Sequence, residues 1–571
     1  MRNNSPAARI AMYAGLILWM LVNLFPVYWM FTFSLKNNAE IFGENVIRLP
    51  ETWQWSNYVR ALNTGNMPRY FLNSAIVATA TIIITLAAAQ RKRSGKDGRK
   101  NCPSLRFVLF FFYQLFREET FEMKEKKSSA LRFWLLVWGL GLIGQLVWNI
   151  ENQWFNTFVY AKIAKDPTII SWMVAISAIA TTISTFVFGT LSDRKGRRKT
   201  FIGFGYILWG IFTILFGTTE FITGGKGAAT AKLLMLAATA VVLADALMSF
   251  FGSMGNDAGF NVWLNDNMTE KNRGHIGAAL ATQPILGTII GVVLGGMLIG
   301  KEDNYMRLFL VFGGLAIVFG VAAMLFMKDA PGLAPNRQGS FMQQLLGAFN
   351  FREFIKLREL VWVFLTLSVY FIAFNVFYPH VGNYLIYYLG YTPDDIGIIQ
   401  GVGLLLGMVS VIPASMLLKK NKFALAAALS IVLSILGVGL LGLFGRPENV
   451  DPTNIFNIPL LVGMFFFGCG YIMFMQVLSV WMKQLFPEES KGQFEGFRIV
   501  FFVLIPWVVS PFIANPIIKN NGKILDTNGL EAYLPTHVLM LISCALICLS
   551  FVPLVFAARQ RALREKAQDK A

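Results

Sequence analysis

The chain has 571 residues, 55% of them hydrophobic and 14% charged, against roughly 25% charged in a typical soluble domain. So few charges cannot cover that much apolar surface in a water-soluble fold, which leaves a polytopic membrane protein. The net charge of +18 lies in short clusters between apolar blocks, not along one basic face with interleaved aromatics, so nucleic acid is excluded as a partner.

In chain order, the first apolar block runs from 10 to 33 behind Arg2 and Arg9, and a second from 71 to 89. The first is too long for a signal-peptide core and has no small-residue cleavage site, so it is expected to remain as a helix. Residues 90–129 form a basic linker opening on Gln90-Arg91-Lys92-Arg93, with an interfacial segment at 107–116 that is about half a span long. From 131 the pattern becomes regular. Twelve blocks of spanning length lie near 131–160, 168–191, 200–219, 231–257, 275–300, 307–327, 360–387, 393–418, 423–444, 457–486, 499–518 and 537–558.

Lys and Arg concentrate in every second connection, which predicts a multi-pass cell-membrane protein with both termini cytoplasmic. The polar stretch 329–359 divides the blocks into an N-terminal half (130–328) and a C-terminal half (360–558), followed by a tail (559–571). Weak internal symmetry supports that division. Phe155-Asn156-Thr157-Phe158 is echoed by Phe374-Asn375-Val376-Phe377, and the cap-plus-proline pair Asp166-Pro167 by Thr392-Pro393.

Between the second and third blocks stands Gly189-Thr190-Leu191-Ser192-Asp193-Arg194-Lys195-Gly196-Arg197-Arg198-Lys199. It resembles the G-x-L-x-D-R-x-G-R-R-K loop of the major facilitator superfamily, at the place where that superfamily carries it. Physically, Gly189 permits close helix approach, Gly196 a tight turn, and Asp193 suits the positive N-terminus of a neighbouring helix. Arg194, Arg197 and Arg198 are expected on the cytoplasmic face. The resemblance covers about 131–558. It implies an all-α membrane protein with the twelve-helix fold in two six-helix halves, preceded by about two further helices, and a gate at this loop in which Asp193 and Arg197 take part.

Within the superfamily, 265–274 and 487–498 resemble the loops after helices four and ten of the glycoside–pentoside–hexuronide cation symporters. The paired carboxylates of the melibiose-permease second helix have no counterpart, since here that helix carries Thr181 and Thr182 but no acid. A different resemblance covers 1–89. Asn57-Tyr58-Val59-Arg60 and the run from Pro68 to Val77 are similar to the start of a maltose-type carbohydrate ABC permease, and the change at Gln90 reads as a fusion junction. Such a permease needs a later E-A-A…G loop to dock its ATPase, and none is present, so no ATPase subunit is expected.

Polar residues inside lipid mark cavities or helix contacts. In the first block Gln145, Asn149, Asn152 and Asn156 recur at helical spacing on one stripe flanked by Trp148, while Glu151 lies about 120° away. These amides and the indole suit sugar hydroxyls and a sugar ring; hydrogen bonding between helices is the competing use. Asn375, Tyr378 and Gln476 are the candidates to close the pocket from the other half. Asp245, about 20 Å along its helix from Lys232, is the first candidate for cation coupling and Glu151 the second, because an acid at that depth is costly in its charged form unless paired. Asp257 is expected to pair with the basic loop around Arg197.

Four cysteines form no CxxC pair and three histidines lie in separate segments, so no metal site or cofactor is expected beyond a coupling H⁺ or Na⁺. Gly139-Leu140-Gly141-Leu142-Ile143-Gly144 satisfies GxGxxG but has no strand before it, and no Walker A, G-x-S-x-G or HExxH sequence is present, so the chain reads as no enzyme. The reading is a monomeric secondary transporter of a small polar solute, a sugar or glycoside, by cation symport. The alternatives are a non-transporting fusion or scaffold and an ABC permease component.

Overall fold

The computed structural model describes residues 124–568 except 226, 228–229, 270–271, 301, 338, 348–350, 487–495, 526–528 and 530, together with 32, 34–36, 50 and 53–57. The expected helices at 10–33 and 71–89, the segment at 107–116, the junction at Gln90 and most of the 487–498 loop lie outside the described residues, isolated positions apart. The chain forms two compact units, Met1–Thr120 and Phe121–Ala571. In the first, the Asn57 side-chain amide donates to the carbonyls of Ser34 and Lys36 at 3.1 and 3.0 Å.

Among the described residues of the second unit, twelve helices are long and apolar enough to cross a membrane: α1 Arg132–Ile163, α2 Pro167–Lys195, α3 Lys199–Ile222, α4 Ala231–Asp266, α5 Arg273–Ile299, α6 Tyr305–Phe326, α7 Arg358–Tyr388, α8 Pro393–Lys419, α9 Phe423–Phe444, α10 Ile458–Leu485, α11 Gly496–Asn521 and α12 His537–Lys566. Hydrophobic run length selects these helices, because in lipid every backbone N–H must be satisfied within its own segment. Local chemistry sets their ends. Asp166 caps α2 by accepting from Thr168 N at 2.9 Å, with Pro167 at the first helical position. Thr392 and Asp395 form a capping box at the start of α8, again with proline next. A two-stranded hairpin, β1 Lys523–Leu525 and β2 Glu531–Tyr533, joins α11 to α12.

Helices of the first six and second six pack in matching order. The pairs α1–α5, α1–α6, α2–α4, α3–α4 and α3–α6 recur as α7–α11, α7–α12, α8–α10, α9–α10 and α9–α12. Small residues allow the closest of these approaches: a Cβ added at Gly210 would lie 2.3 Å from the Gly313 carbonyl, and one at Gly437 would lie 2.2 Å from Phe467 N.

The two sets of six meet chiefly through α2–α11 and α5–α8; at the Asp193 end Phe186 of α2 lies against Gly496 of α11, and further contacts stand at the opposite end. There, a Cβ on Gly296 would lie 2.4 Å from the Pro393 carbonyl. Ser171 Oγ donates to the Pro511 carbonyl at 3.1 Å, Lys519 pairs with Asp166 at 3.5 Å, and Asn383 donates to the Asn156 carbonyl at 3.1 Å. Toward the Asp193 end, Gly274 and Gly277 of α5 have nothing within 4 Å of an added Cβ.

Candidate functional site

Helices α1, α2 and α4 bring four polar side chains together inside the first six. Ser249 Oγ donates to Glu151 Oε1 at 2.6 Å. Asp245, one turn from Ser249 on α4, lies near enough to Glu151 for their charges to act on each other, and Ser177 of α2, whose Oγ donates to the Val174 carbonyl at 3.1 Å, lies near its carboxyl. Asp245 and Glu151 are both buried, and Oδ1 of the one and Oε2 of the other have no hydrogen-bond partner among the described residues. Two buried acids within electrostatic reach of each other are costly when both are charged, so the arrangement can hold a proton or a small cation. Among the described residues no cluster of three or more His, Cys, Asp or Glu has the makings of a multi-ligand metal site.

The α4 face continues from this pair. Ser253 Oγ donates to the Thr181 carbonyl at 3.0 Å, and Asn256 accepts from Tyr206 Oη at 3.1 Å. Asp257 takes a hydrogen bond from Asn256 Nδ2 at 3.2 Å and feels the charge of Arg498 on α11. It does not join the basic loop as expected. Asp266, at the end of α4, takes that place through Arg198 Nε at 2.9 Å, because the helix axis has carried Asp257 more than two turns inward.

The amide stripe of α1 does not stay on one line. The helix contains two π-turns, Glu151–Phe155 and Val159–Ile163, and each extra residue per turn advances the phase of the helix beyond it. Gln145 and Asn149 face α5, where Cβ atoms on Gly287 and Gly291 would meet them at 2.6 and 2.5 Å. Asn156 turns to α7, and its side chain donates to the Asn152 carbonyl at 2.9 Å; Asn152 itself is half-buried. Trp148 lies against Trp209 of α3, ring centroids 4.9 Å apart. Gln153, absent from the predicted stripe, is buried with both polar atoms unpartnered among the described residues. It stands at i+4 from Asn149, so ideal helical spacing already carries the Gln145–Asn149 face on to it.

In the second six, Asn375 is buried with its amide N and O both unpartnered among the described residues. Gln476 donates to Ser415 Oγ of α8 at 2.9 Å. Tyr378 stacks on Phe374 at 4.7 Å and, with Gln400, Tyr471 and Thr288, lines a cavity of about 30 Å³, room for a water or two. Gln400 and Tyr471 were not among the sequence candidates. Each stands alone in an apolar helix, where only the packing of α7, α8 and α10 gives it a role.

The Gly189–Lys199 loop is built differently from its expectation in three respects. Gly196 makes the predicted turn at φ +61°, and the chain connecting the two sixes presses on it: an added Cβ would lie 2.7 Å from Pro335 N. Gly189 makes no close approach, since nothing lies within 4 Å of an added Cβ. The buried arginine is Arg198, which pairs with Asp193 and Asp266 and donates to Ser192 Oγ, whereas Arg197 is exposed. The acid at the N-terminus of α3 is Asp329, accepting from Arg198 N and Lys199 N at 2.8 Å each; Asp193 does not serve there. Arg194 reaches the connection too, donating to the Gly339 carbonyl at 2.9 Å and Gln344 Oε1 at 3.1 Å.

Comparison with known proteins places this architecture. Over short stretches the chain is similar to components of sugar ABC systems. It is 35% identical over 74 residues to the diacetylchitobiose uptake system permease protein NgcG of Streptomyces coelicolor (13% of this chain, 24% of that protein). It is 36% identical over 76 residues to the probable ABC transporter permease protein YurM of Bacillus subtilis (13% and 25%). The chain thus spans about a quarter of the length of these curated relatives, in keeping with the permease-like N-terminal fragment.

Among solved structures, a point mutant of the nucleoside transporter NupG superposes with a TM-score of 0.56 at 13% identity, covering 74% of this chain and 99% of that one. A D-xylose–proton symporter gives 0.54 at 15% identity, covering 73% and 95%. The xylose transporter XylE of E. coli in an inward-open form gives 0.53 at 14%, covering 75% and 95%. At these identities the likeness is one of fold. The Major Facilitator Superfamily model matches residues 137–511, so the chain is a membrane transporter, not an enzyme, and it belongs to the Major Facilitator Superfamily.

Proposed function

We propose that this transporter moves a small polar solute, a sugar or glycoside, in symport with H⁺ or Na⁺. The observation that carries the reading is the buried Glu151–Ser249–Asp245 arrangement, two acids inside the membrane with no basic partner among the described residues. A charge site of that kind must be filled before its walls can close around it. The unpartnered amides of Gln153 and Asn375 and the Oδ1 of Asn156 offer donors and acceptors suited to hydroxyls. On the positive-inside distribution of Lys and Arg, the Asp193 face is cytoplasmic. The Gly296–Pro393, Ser171–Pro511 and Lys519–Asp166 contacts at the other end support a carrier shut toward the outside. The carrier works in the cell membrane as a monomer, with both termini inside and no ATPase subunit.

The test is uptake by proteoliposomes of labelled glycosides against imposed proton or sodium gradients. Asp245→Asn should fold normally, keep downhill exchange and lose gradient-driven accumulation, and Glu151→Gln should weaken it. Undiminished accumulation by Asp245→Asn overturns the coupling role. Response to one gradient and not the other identifies the ion.

A further inference from the structure

A cavity of about 420 Å³ opens at the Asp193-face end of the second six, between the start of α7, the end of α10 and the last turns of α12. Its wall carries two chemistries. Lys356, Arg358 and Arg564 supply positive charge, and Leu360, Leu485 and Leu563 supply apolar surface. The acid in the wall, Glu359, is buried and already engaged: Trp481 Nε1 donates to it at 2.8 Å, and Arg564 and Arg561 lie 3.2 and 3.9 Å from its oxygens. Arg561 is held from behind over the Phe423 ring at 4.3 Å. Lys356 does meet Glu353 at 2.6 Å, but both are exposed, and such a pair yields readily to a stronger anion. The N-terminus of α7 forms part of the same wall, and no side chain caps it, which adds to the positive potential. In the wall, Leu563 is 54% exposed.

We infer that this cavity binds the phosphate-bearing head group of an anionic phospholipid. Lys356, Arg358 and Arg564 take the phosphate oxygens, Arg564 through its planar fork, and the leucines lie along the first carbons of the acyl chains. The chemistry selected is a phosphate ester, which a soluble phosphate could also present. A soluble ion would leave Leu563 in water, whereas a lipid covers it. The site also lies where the spanning helices end, the depth at which head groups sit. Basic and apolar residues alternating around one concavity match an amphiphile with charge at one end.

The full-length protein in detergent tests this by native mass spectrometry and thermal shift, with phosphatidylglycerol, phosphatidylcholine and inorganic phosphate as separate arms. The wild type should retain phosphatidylglycerol at concentrations at least tenfold below phosphatidylcholine and melt higher in its presence, while millimolar phosphate leaves the melting temperature unchanged. The double variant Lys356→Gln/Arg358→Gln alters two exposed side chains and should fold with an unchanged lipid-free melting temperature, yet lose at least tenfold in phosphatidylglycerol retention. Arg564→Gln, checked for folding in the same way, should add to that loss. Equal retention of the two lipids by the wild type, or of phosphatidylglycerol by wild type and double variant, overturns the inference. Stabilisation by inorganic phosphate equal to that by phosphatidylglycerol overturns the lipid assignment in favour of a soluble anion.

Discussion

Replacing Gly296 with alanine should push the carrier off the conformation described here. The added Cβ would stand 2.4 Å from the Pro393 carbonyl oxygen and 3.4 Å from Asp394 Cα. Carbon and oxygen sit at about 3.3 Å or more in unstrained contacts, so α5 and α8 must part by about 1 Å at their junction. Both obstacles are backbone, which cannot swing aside as a side chain would. Overpacking of this kind costs about 1–3 kcal/mol. The strain exists only while this end is shut, so it enters the balance between the two ends and should move it by about 5- to 150-fold. Gly189→Ala is the control. It lies within α2 with nothing inside 4 Å of its Cβ, so alanine should firm the helix by about 1 kcal/mol without moving that balance.

Spin labels at Phe221 and Leu525, both strongly exposed at the end away from Asp193, in a background lacking native cysteines, read the separation by pulsed electron resonance. Gly296→Ala should enlarge the long-distance population, and Gly189→Ala should match the parent. If Gly296→Ala lowers the melting temperature while its distance distribution equals the parent's, the junction is mere packing and the reasoning fails.

The same geometry sets further outcomes. Arg198→Ala strips charged hydrogen bonds from Asp266, Asp193 and Ser192 and should cost about 2 kcal/mol, since each such bond is worth about 1.5–3 kcal/mol and the acids regain part of it from water. Arg197→Ala, on an exposed residue, should stay within about 0.5 kcal/mol; equal melting temperatures for the two variants would contradict the assignment. Removing residues 1–120, which form a unit of their own, should leave transport by the twelve-helix unit intact in proteoliposomes. Loss of transport with normal folding would favour a body organised around the N-terminal segment.

The twelve helices were readable one by one, and their observed limits differ from the hydropathy blocks by a few residues except at the ends of α4 and α12. There, turns of mixed polarity continue beyond the apolar run: Asn261–Asp266, with Trp263 and Leu264 buried, extends α4, and a stretch with charged residues as far as Lys566 extends α12. Span length, caps such as Asp166-Pro167 and Thr392-Pro393, and the Gly196 turn are local properties, and local chemistry suffices to specify them. Asp245 and Glu151 could be picked out singly for the same reason: an acid in an apolar run is conspicuous wherever it lies.

That Glu151 would meet Ser249, one turn from Asp245, was not legible, because it depends on how α1 is rotated against α4. Ideal helical phase mis-sorted the α1 amides for a related reason. The π-turn Glu151–Phe155 shifts the phase beyond it, Asn156 lies against α7 through its carbonyl, and such turns leave no mark in composition or spacing. Arg198 rather than Arg197 became the buried arginine because the connection between the sixes supplies Asp329 and the end of α4 supplies Asp266, partners 131 and 68 residues away in the chain. Apolar periodicity and end signals act over a few residues and need no tertiary structure. Which side chains face one another is decided by helix rotation and packing, and those belong to the assembled bundle alone.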